Sequence, residues 1–246
     1  MESTSFAIPV SPGKTDEARL IFSESMGKRR VELAESCNRN GITHEFAWIQ
    51  KSTRGGDLLI LHLEAEDIGL AMGRWAAADS PYDTWLKEQL FYVTGIDFTK
   101  AEDIPPLPDV LCSLQVDAVA HAIPVASASP VVEGKADQLR AWFEELKGPR
   151  VDELRNYLER GGLARETWYL QTSPGDDTLI TFALVEDPDK SFRGFTRSEH
   201  RFDTWMKEKL LEFTGIDYNA PKTGPEPEIH RAELILDWHH DFQAVV

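Results

Sequence analysis

Cysteine is scarce in this chain: two in 246 residues, Cys37 in a helical pattern and Cys112 in a strand pattern. A disulfide framework and a paired-cysteine zinc site are thereby excluded, and a reducing cytoplasm suits the composition best. Positive charge is also short, with 26 Lys and Arg against 42 Asp and Glu, a net charge of −16. A phosphate backbone or an anionic lipid surface must be met by basic groups, so neither nucleic acid nor membrane is an expected partner. No stretch approaches the ~20 apolar residues of a membrane-spanning helix. The start, MESTSFAIPV, lacks the basic and then apolar sections of a secretory leader. Phosphate-binding glycine loops, nucleophile elbows and HExxH are missing. His239-His240-Asp241 has metal-like composition, but adjacent strand residues point to opposite faces, so no metal site is expected. No cofactor is expected either, although haem on a single axial histidine would leave no spacing pattern and stays open.

What the chain does have is a repeat. YDTWLKEQLFYVTGIDF, residues 82–98, returns as FDTWMKEKLLEFTGIDY, residues 202–218, with 10 of 17 positions identical. Other segments match in the same order: SFAIPV (5–10) with AHAIPV (120–125), GKTDEARLIF with GKADQLRAWF, and GKRRVEL with GPRVDEL. In this alignment the second copy carries an insertion, SASPVV, after its first strand. Ordered matches along the whole length indicate duplication, with repeats at 1–118 and 119–246.

Each repeat reads as strand (5–10, 120–125), long helix (14–40, 135–161), two hairpin strands, helix, and final strand. HEFAWIQ with DLLILHLE, and RETWYLQT with TLITFALVE, are the hairpins; KSTRGGD and TSPGDD are their loops. Leu139, Trp142, Phe143 and Leu146 form a helical apolar stripe, which Gly148-Pro149 then breaks, so a kink or two consecutive helices follow. Proline-rich connectors, IPPLPD and TGPEPE, lead to the last strands, VLCSLQVD and AELILDWH. The order is that of the split βαβ, or ferredoxin-like, unit. The fold class is therefore α+β, two tandem ferredoxin-like (βαββαβ) repeats. Such a sheet carries helices on one face, and burying the other is worth ~25 cal/mol per Å², so the expectation is that the repeats pack sheet to sheet as an intrachain α/β barrel.

Most repeated residues read as structural. Ser80-Pro81-Tyr82-Asp83 is a helix start with a capping serine, proline in the first turn and an acid matched to the dipole. Thr-Gly-Ile-Asp, at 94–97 and 214–217, is a glycine helix stop. Arg29 and Arg150 follow the helix break, each three residues before a glutamate; a surface ion pair is the simpler reading, and a carboxylate- or enolate-binding arginine the sharper one.

Chemistry is sought where the copies differ. None of the seven histidines is matched by a histidine: His44 faces Arg165, His62 faces Ala183, His121 faces Phe6 and His200 faces Ser80, while His230, His239 and His240 stand in the terminal connector and strand. One repeat is thus expected to carry any reaction while the other is scaffold. His62, inside LLILHLE, His121 and His44 are the candidate acid–base residues, because an imidazole titrates near neutrality. Trp48, with His44 and Gln50, alternates along one strand face as Arg165, Tyr169 and Gln171 do in the second repeat. Trp48, Arg165 and Tyr169, together with Arg29 and Arg150, are the candidate ligand-binding residues.

PGKTDEAR, HEFAWIQ and the block D-T-W-[LM]-K-E-x-L-x-x-x-T-G-I-D resemble the dimeric α/β-barrel superfamily of ferredoxin-like proteins, in an uncharacterised bacterial branch. The resemblance spans both repeats. It implies a barrel made by two units, usually a homodimer and here a pseudo-dimer within one chain, with further homodimerisation open. It also implies a small apolar or aromatic molecule as partner. The superfamily holds cofactor-independent monooxygenases of polycyclic phenols, polyketide cyclases, lactone isomerases, haem-handling enzymes and stress proteins without an assigned reaction. None of its catalytic patterns can be placed on this sequence, so no catalytic residue is carried over. Two functions follow: an enzyme or enzyme-like binder of an apolar metabolite, or a non-catalytic interaction or stress-type protein.

Overall fold

The computed structural model describes residues 1–51, 56–100, 103–116, 121–173, 176–219 and 232–240. Both hairpin loops, the connector TGPEPE, Ala120, His230 and Asp241 fall wholly or partly outside these residues. Elements run β1 (Glu2–Pro9), α1 (Thr15–Met26), α2 (Arg30–Asn40), β2 (Ile42–Gln50), β3 (Leu58–Ala65), α3 (Ile68–Ala77), α4 (Pro81–Thr94) and β4 (Asp109–Gln115). The second repeat follows with β5 (Ile123–Pro130), α5 (Ala136–Lys147), α6 (Val151–Gly161), β6 (Leu163–Gln171), β7 (Thr178–Val185), α7 (Pro188–Arg197), α8 (Arg201–Thr214) and β8 (Glu233–His239). The fold is mixed α+β, with two four-stranded antiparallel sheets ordered β1-β3-β2-β8 and β4-β6-β7-β5. Among the described residues no helix is long and apolar enough to cross a membrane.

The last strands trade places. β4, from the first repeat, pairs with β6, and β8, from the second, pairs with β2. The compact units are therefore Met1–Leu107 with Ala232–Val246 (unit 1) and Pro108–Arg231 (unit 2), not the two sequence repeats 1–118 and 119–246. Packing supplies the reason. Leu236 and Trp238 on β8 are buried in the core of unit 1, each contributing ~1.5–3 kcal/mol of apolar burial. Equivalent ion pairs fasten the borrowed strands: Arg19 of α1 to Glu233 at 2.8 Å, and Arg140 of α5 to Asp109 at 2.7 Å.

Three further sequence expectations are corrected. First, there is no insertion after the first strand of the second repeat: the spacing that relates Gly13 to Gly134 also relates Pro9 to Pro130. β5 accordingly runs past the expected 120–125, and Pro130 pairs with Thr178 as Pro9 pairs with Leu58. Second, His62 corresponds to Phe182 rather than Ala183, because His62 lies opposite Phe46 and Phe182 opposite Thr167, the equivalent of Phe46. Third, α3 and α7 are additional helices. Asp67 and Asp187 cap their starts, accepting hydrogen bonds from Leu70 N and from Asp189 and Lys190 N.

The long helix is two helices in both copies, broken at Gly27 and at Gly148. Proline follows only the second glycine, so the glycine conformation, φ −95° and ψ −107° at Gly27, suffices. The ends of the repeated α4/α8 block are set by local caps. Ser80 accepts from Asp83 N, and Gly95 and Gly215 stop the helices in the left-handed region. His200 takes the capping role of Ser80. Lys87 Nζ donates to the carbonyls of Ala76 and Ala78 at 2.8 and 2.6 Å, closing the end of α3; Lys207 does the same for Thr196 and Ser198.

Candidate functional site

Alternation sorts the residues of the first sheet. Phe6, Ile8, Ala47, Ile49, Leu59 and Leu63 face the helices, so Ser5, Ile60, His62, Glu64, His44, Phe46 and Trp48 lie on the opposite face. A bulge between Ile42 and His44 sets this register and places His44 opposite Glu64. There a polar chain forms. His62 Nδ1 lies 2.7 Å from Ser5 Oγ, its Nε2 lies 3.3 Å from Glu64 Oε1, and Glu64 Oε2 lies 3.2 Å from His44 Nδ1. His62 is fully buried and His44 partly exposed. Phe46 stands among these rings, 6.0 Å from His62, 6.2 Å from His44 and 5.8 Å from Trp48. Unit 2 carries Ala126, Phe182, Leu184 and Arg165 where unit 1 has Ser5, His62, Glu64 and His44. This arrangement of a carboxyl between two imidazoles therefore has no counterpart in unit 2.

The remaining sequence candidates lie elsewhere. His121 is exposed ahead of β5, in unit 2. Arg165 and Tyr169 are on β6, with the Arg165 guanidinium 4.9 Å from the Phe182 ring and Tyr169 fully buried. Arg29 lies 4.2 Å above Trp85 and pairs with Glu24 and Glu32; Arg150 lies 3.9 Å above Trp205 and pairs with Glu145 and Glu153. Both arginines thus brace the helix break against α4 and α8, matching the ion-pair reading.

The other face of the same sheet holds a cavity that sequence reading missed. It occupies about 40 Å³ between β1, β2, β3 and helices α1 to α4, walled by Phe22, Leu63, Met72, Trp75, Leu90 and Phe98. Its polar lining is Glu45, Ser36, Cys37 and Tyr82. A water needs roughly 10–15 Å³ by such a measure, so the space as it stands suits a few waters or a small molecule. Glu45 as a residue is half-buried, yet burial pushes its carboxyl up from 4.5 to about 7, with nearby Asp83 adding to the rise. The Cys37 thiol donates to Glu45 Oε2 at 3.4 Å, and no cation pairs with this carboxyl among the described residues. Burial, reinforced by Glu45, raises the Cys37 thiol well above its ordinary value, so it stays a protonated donor. Tyr82 donates to Ser25 Oγ at 2.9 Å. Ser36 donates to Asp83, which also takes Arg39 at 3.0 Å. At Asp83 burial opposes the charge, but hydrogen bonds from Ser36, Ser80 and Arg39 outweigh it and the pKa is lowered.

In unit 2 the acid recurs as Glu166, while Tyr157 stands at the position of Ser36, Leu158 at Cys37 and Trp168 at Ala47. Trp168 packs 5.5 Å from Phe143, and Tyr157 packs 5.7 Å from Phe195. A signal was available in the sequence. Glu45 shares its strand face with Ala47 and Ile49, and Glu166 shares its own with Trp168 and Leu170, so both repeats place a carboxyl among apolar residues.

Comparison with known proteins agrees with this fold. Residues 125–227 match a family of unknown function (DUF6176). No curated protein is similar enough in sequence to count as a relative. Among solved structures, an anthrone oxidase-like protein is similar over 96% of this chain and 91% of its own, with 9% identity and a TM-score of 0.52. A protein of Fusobacterium nucleatum subsp. nucleatum ATCC 25586, suggested to be a monooxygenase, is similar over 96% of both chains, with 12% identity and a TM-score of 0.48.

Proposed function

We propose that unit 1 binds a small, mostly apolar or aromatic metabolite in the cavity between its sheet and helices, and acts on it without a cofactor, by oxygenation, cyclisation or isomerisation. The observation that carries this reading is the cavity itself, an apolar space into which a few polar groups converge. The asymmetry of the units supports it, because Tyr157 and Leu158 put larger groups where Ser36 and Cys37 line the space. A ring-sized ligand enters once Met72 and Trp75 shift, and methionine is the side chain that yields most readily. The anthrone oxidase-like neighbour guides the choice of first probes to flat aromatic ketones and phenols.

The test titrates one-ring to three-ring aromatics while following the NMR signals of Trp75 and Met72. Saturable shifts at these residues in the wild type are expected. Ser36→Tyr, which imports the residue of the second repeat, should weaken binding at least about tenfold, ~1.4 kcal/mol. Shifts confined to exposed residues, or equal affinity in Ser36→Tyr, would exclude the cavity as the site.

A further inference from the structure

We infer that Glu45 is the proton-transfer residue of this cavity and that its substrate is an apolar carbonyl compound with an acidic C–H beside the carbonyl. The inference rests on the cavity being the ligand site and deepens that reading. A carboxyl lines an otherwise apolar space, takes its one hydrogen bond among the described residues from Cys37, and pairs with no cation there. A thiol at 3.4 Å is a weak donor, so the carboxyl keeps acceptor capacity toward the cavity that it lines. Cys37 is the positioning residue. Its thiol holds Oε2 and leaves the rest of the carboxyl to the cavity.

The balanced step is proton transfer alone. The Glu45 carboxylate takes the proton of the C–H; that bond's electron pair becomes the enolate C=C, and the carbonyl π pair moves to oxygen. Glu45, now neutral, returns the proton to the same carbon or to a conjugated one, which gives exchange or an isomer of unchanged composition. No oxidant or metal enters the balance. A base works best when its pKa is near the working pH, and burial places Glu45 at about 7. The titratable groups facing it are Cys37 on α2 and Tyr82 and Asp83 on α4. The first two stay protonated and Asp83 stays charged across the neutral range, since burial raises the first two and hydrogen bonding lowers the third.

The experiment uses the full chain in D2O with 2-indanone, and indane as a match lacking the acidic C–H. The wild type should bind both and accelerate deuterium uptake into 2-indanone, with a rate that rises with pH to a plateau above an inflection near 7. Glu45→Gln should bind both probes while the rate falls about 10²- to 10⁴-fold, and Glu45→Asp should keep part of it. Cys37→Ala should shift the inflection while retaining most of the rate. Undiminished uptake in Glu45→Gln, or no acceleration by a wild type that binds both probes, overturns the role of Glu45 and leaves the cavity reading standing. Failure of both probes to bind overturns the two together.

Discussion

Glu166 shows what a carboxyl costs when it is buried with one oxygen unpaired. Its Oε2 has no hydrogen-bond partner among the described residues, and burial pushes its pKa from 4.5 to about 8. A folded pKa above the unfolded one means the fold binds the proton more tightly. The contribution is then complete below about pH 4.5 and lost as pH rises through 8. At ~1.4 kcal/mol per unit this amounts to an upper bound of roughly 5 kcal/mol. Stability of the wild type toward chemical denaturation should therefore fall between about pH 4.5 and 8, and Glu166→Gln should flatten that limb. An unchanged slope would show that another group governs it. Asp83 works in the opposite direction. Its pKa is lowered, so its contribution is present at neutral pH and disappears as pH falls into the acid range. Asp83→Ala strands the buried Ser36 hydroxyl and should cost about 1–3 kcal/mol in a denaturation curve at pH 7.

At the scale of elements, helix ends carry much of the specification. Gly95 sits at φ 78° with nothing within 4 Å of where a Cβ would be. Gly95→Ala should therefore cost about 1 kcal/mol through backbone strain alone, read as a lower melting temperature with no other change in the spectrum. A neutral result would mean that the turn relaxes freely. The cap of α4, the glycine stops of α4 and α8, the break of the long helix and the hairpins were all legible in the sequence, because each rests on local chemistry. Two features were not. α3, Ile68–Ala77, carries Ile68, Ala71, Met72 and Trp75 on one face, but Gly69 and Gly73 argue against a helix and its end is closed by Lys87 from the next helix. β5 was misplaced because residues 122–125 copy residues 7–10, whereas pairing with β7 requires the register counted back from Gly134. The cavity was not legible in the same way. The unmatched histidines point to His62 and His44, which Glu64 joins on the opposite face of the sheet from the cavity, whereas a polar residue in an alternating strand reads as solvent-facing, so Glu45 stands out only once the helices cover its face.

For the whole molecule, the exchanged strands make the sequence repeats and the folding units different objects. A fragment ending at residue 118 lacks β8, so β2 loses its outer partner and the core of unit 1 loses Leu236 and Trp238. Fragments 1–118 and 119–246 should each fail to melt cooperatively alone, and mixing them should restore a cooperative transition. A 1–118 fragment as stable as the full chain would contradict the exchange. The functional account places recognition in unit 1 alone. Its most direct test is the titration of Glu45 followed by 13C NMR of its side-chain carboxyl, in the free protein and with 2-indanone present. The account predicts a midpoint near pH 7 that moves when the ketone is added and stays put in a Ser36→Tyr background. A midpoint in the ordinary glutamate range, indifferent to the ketone, would contradict it.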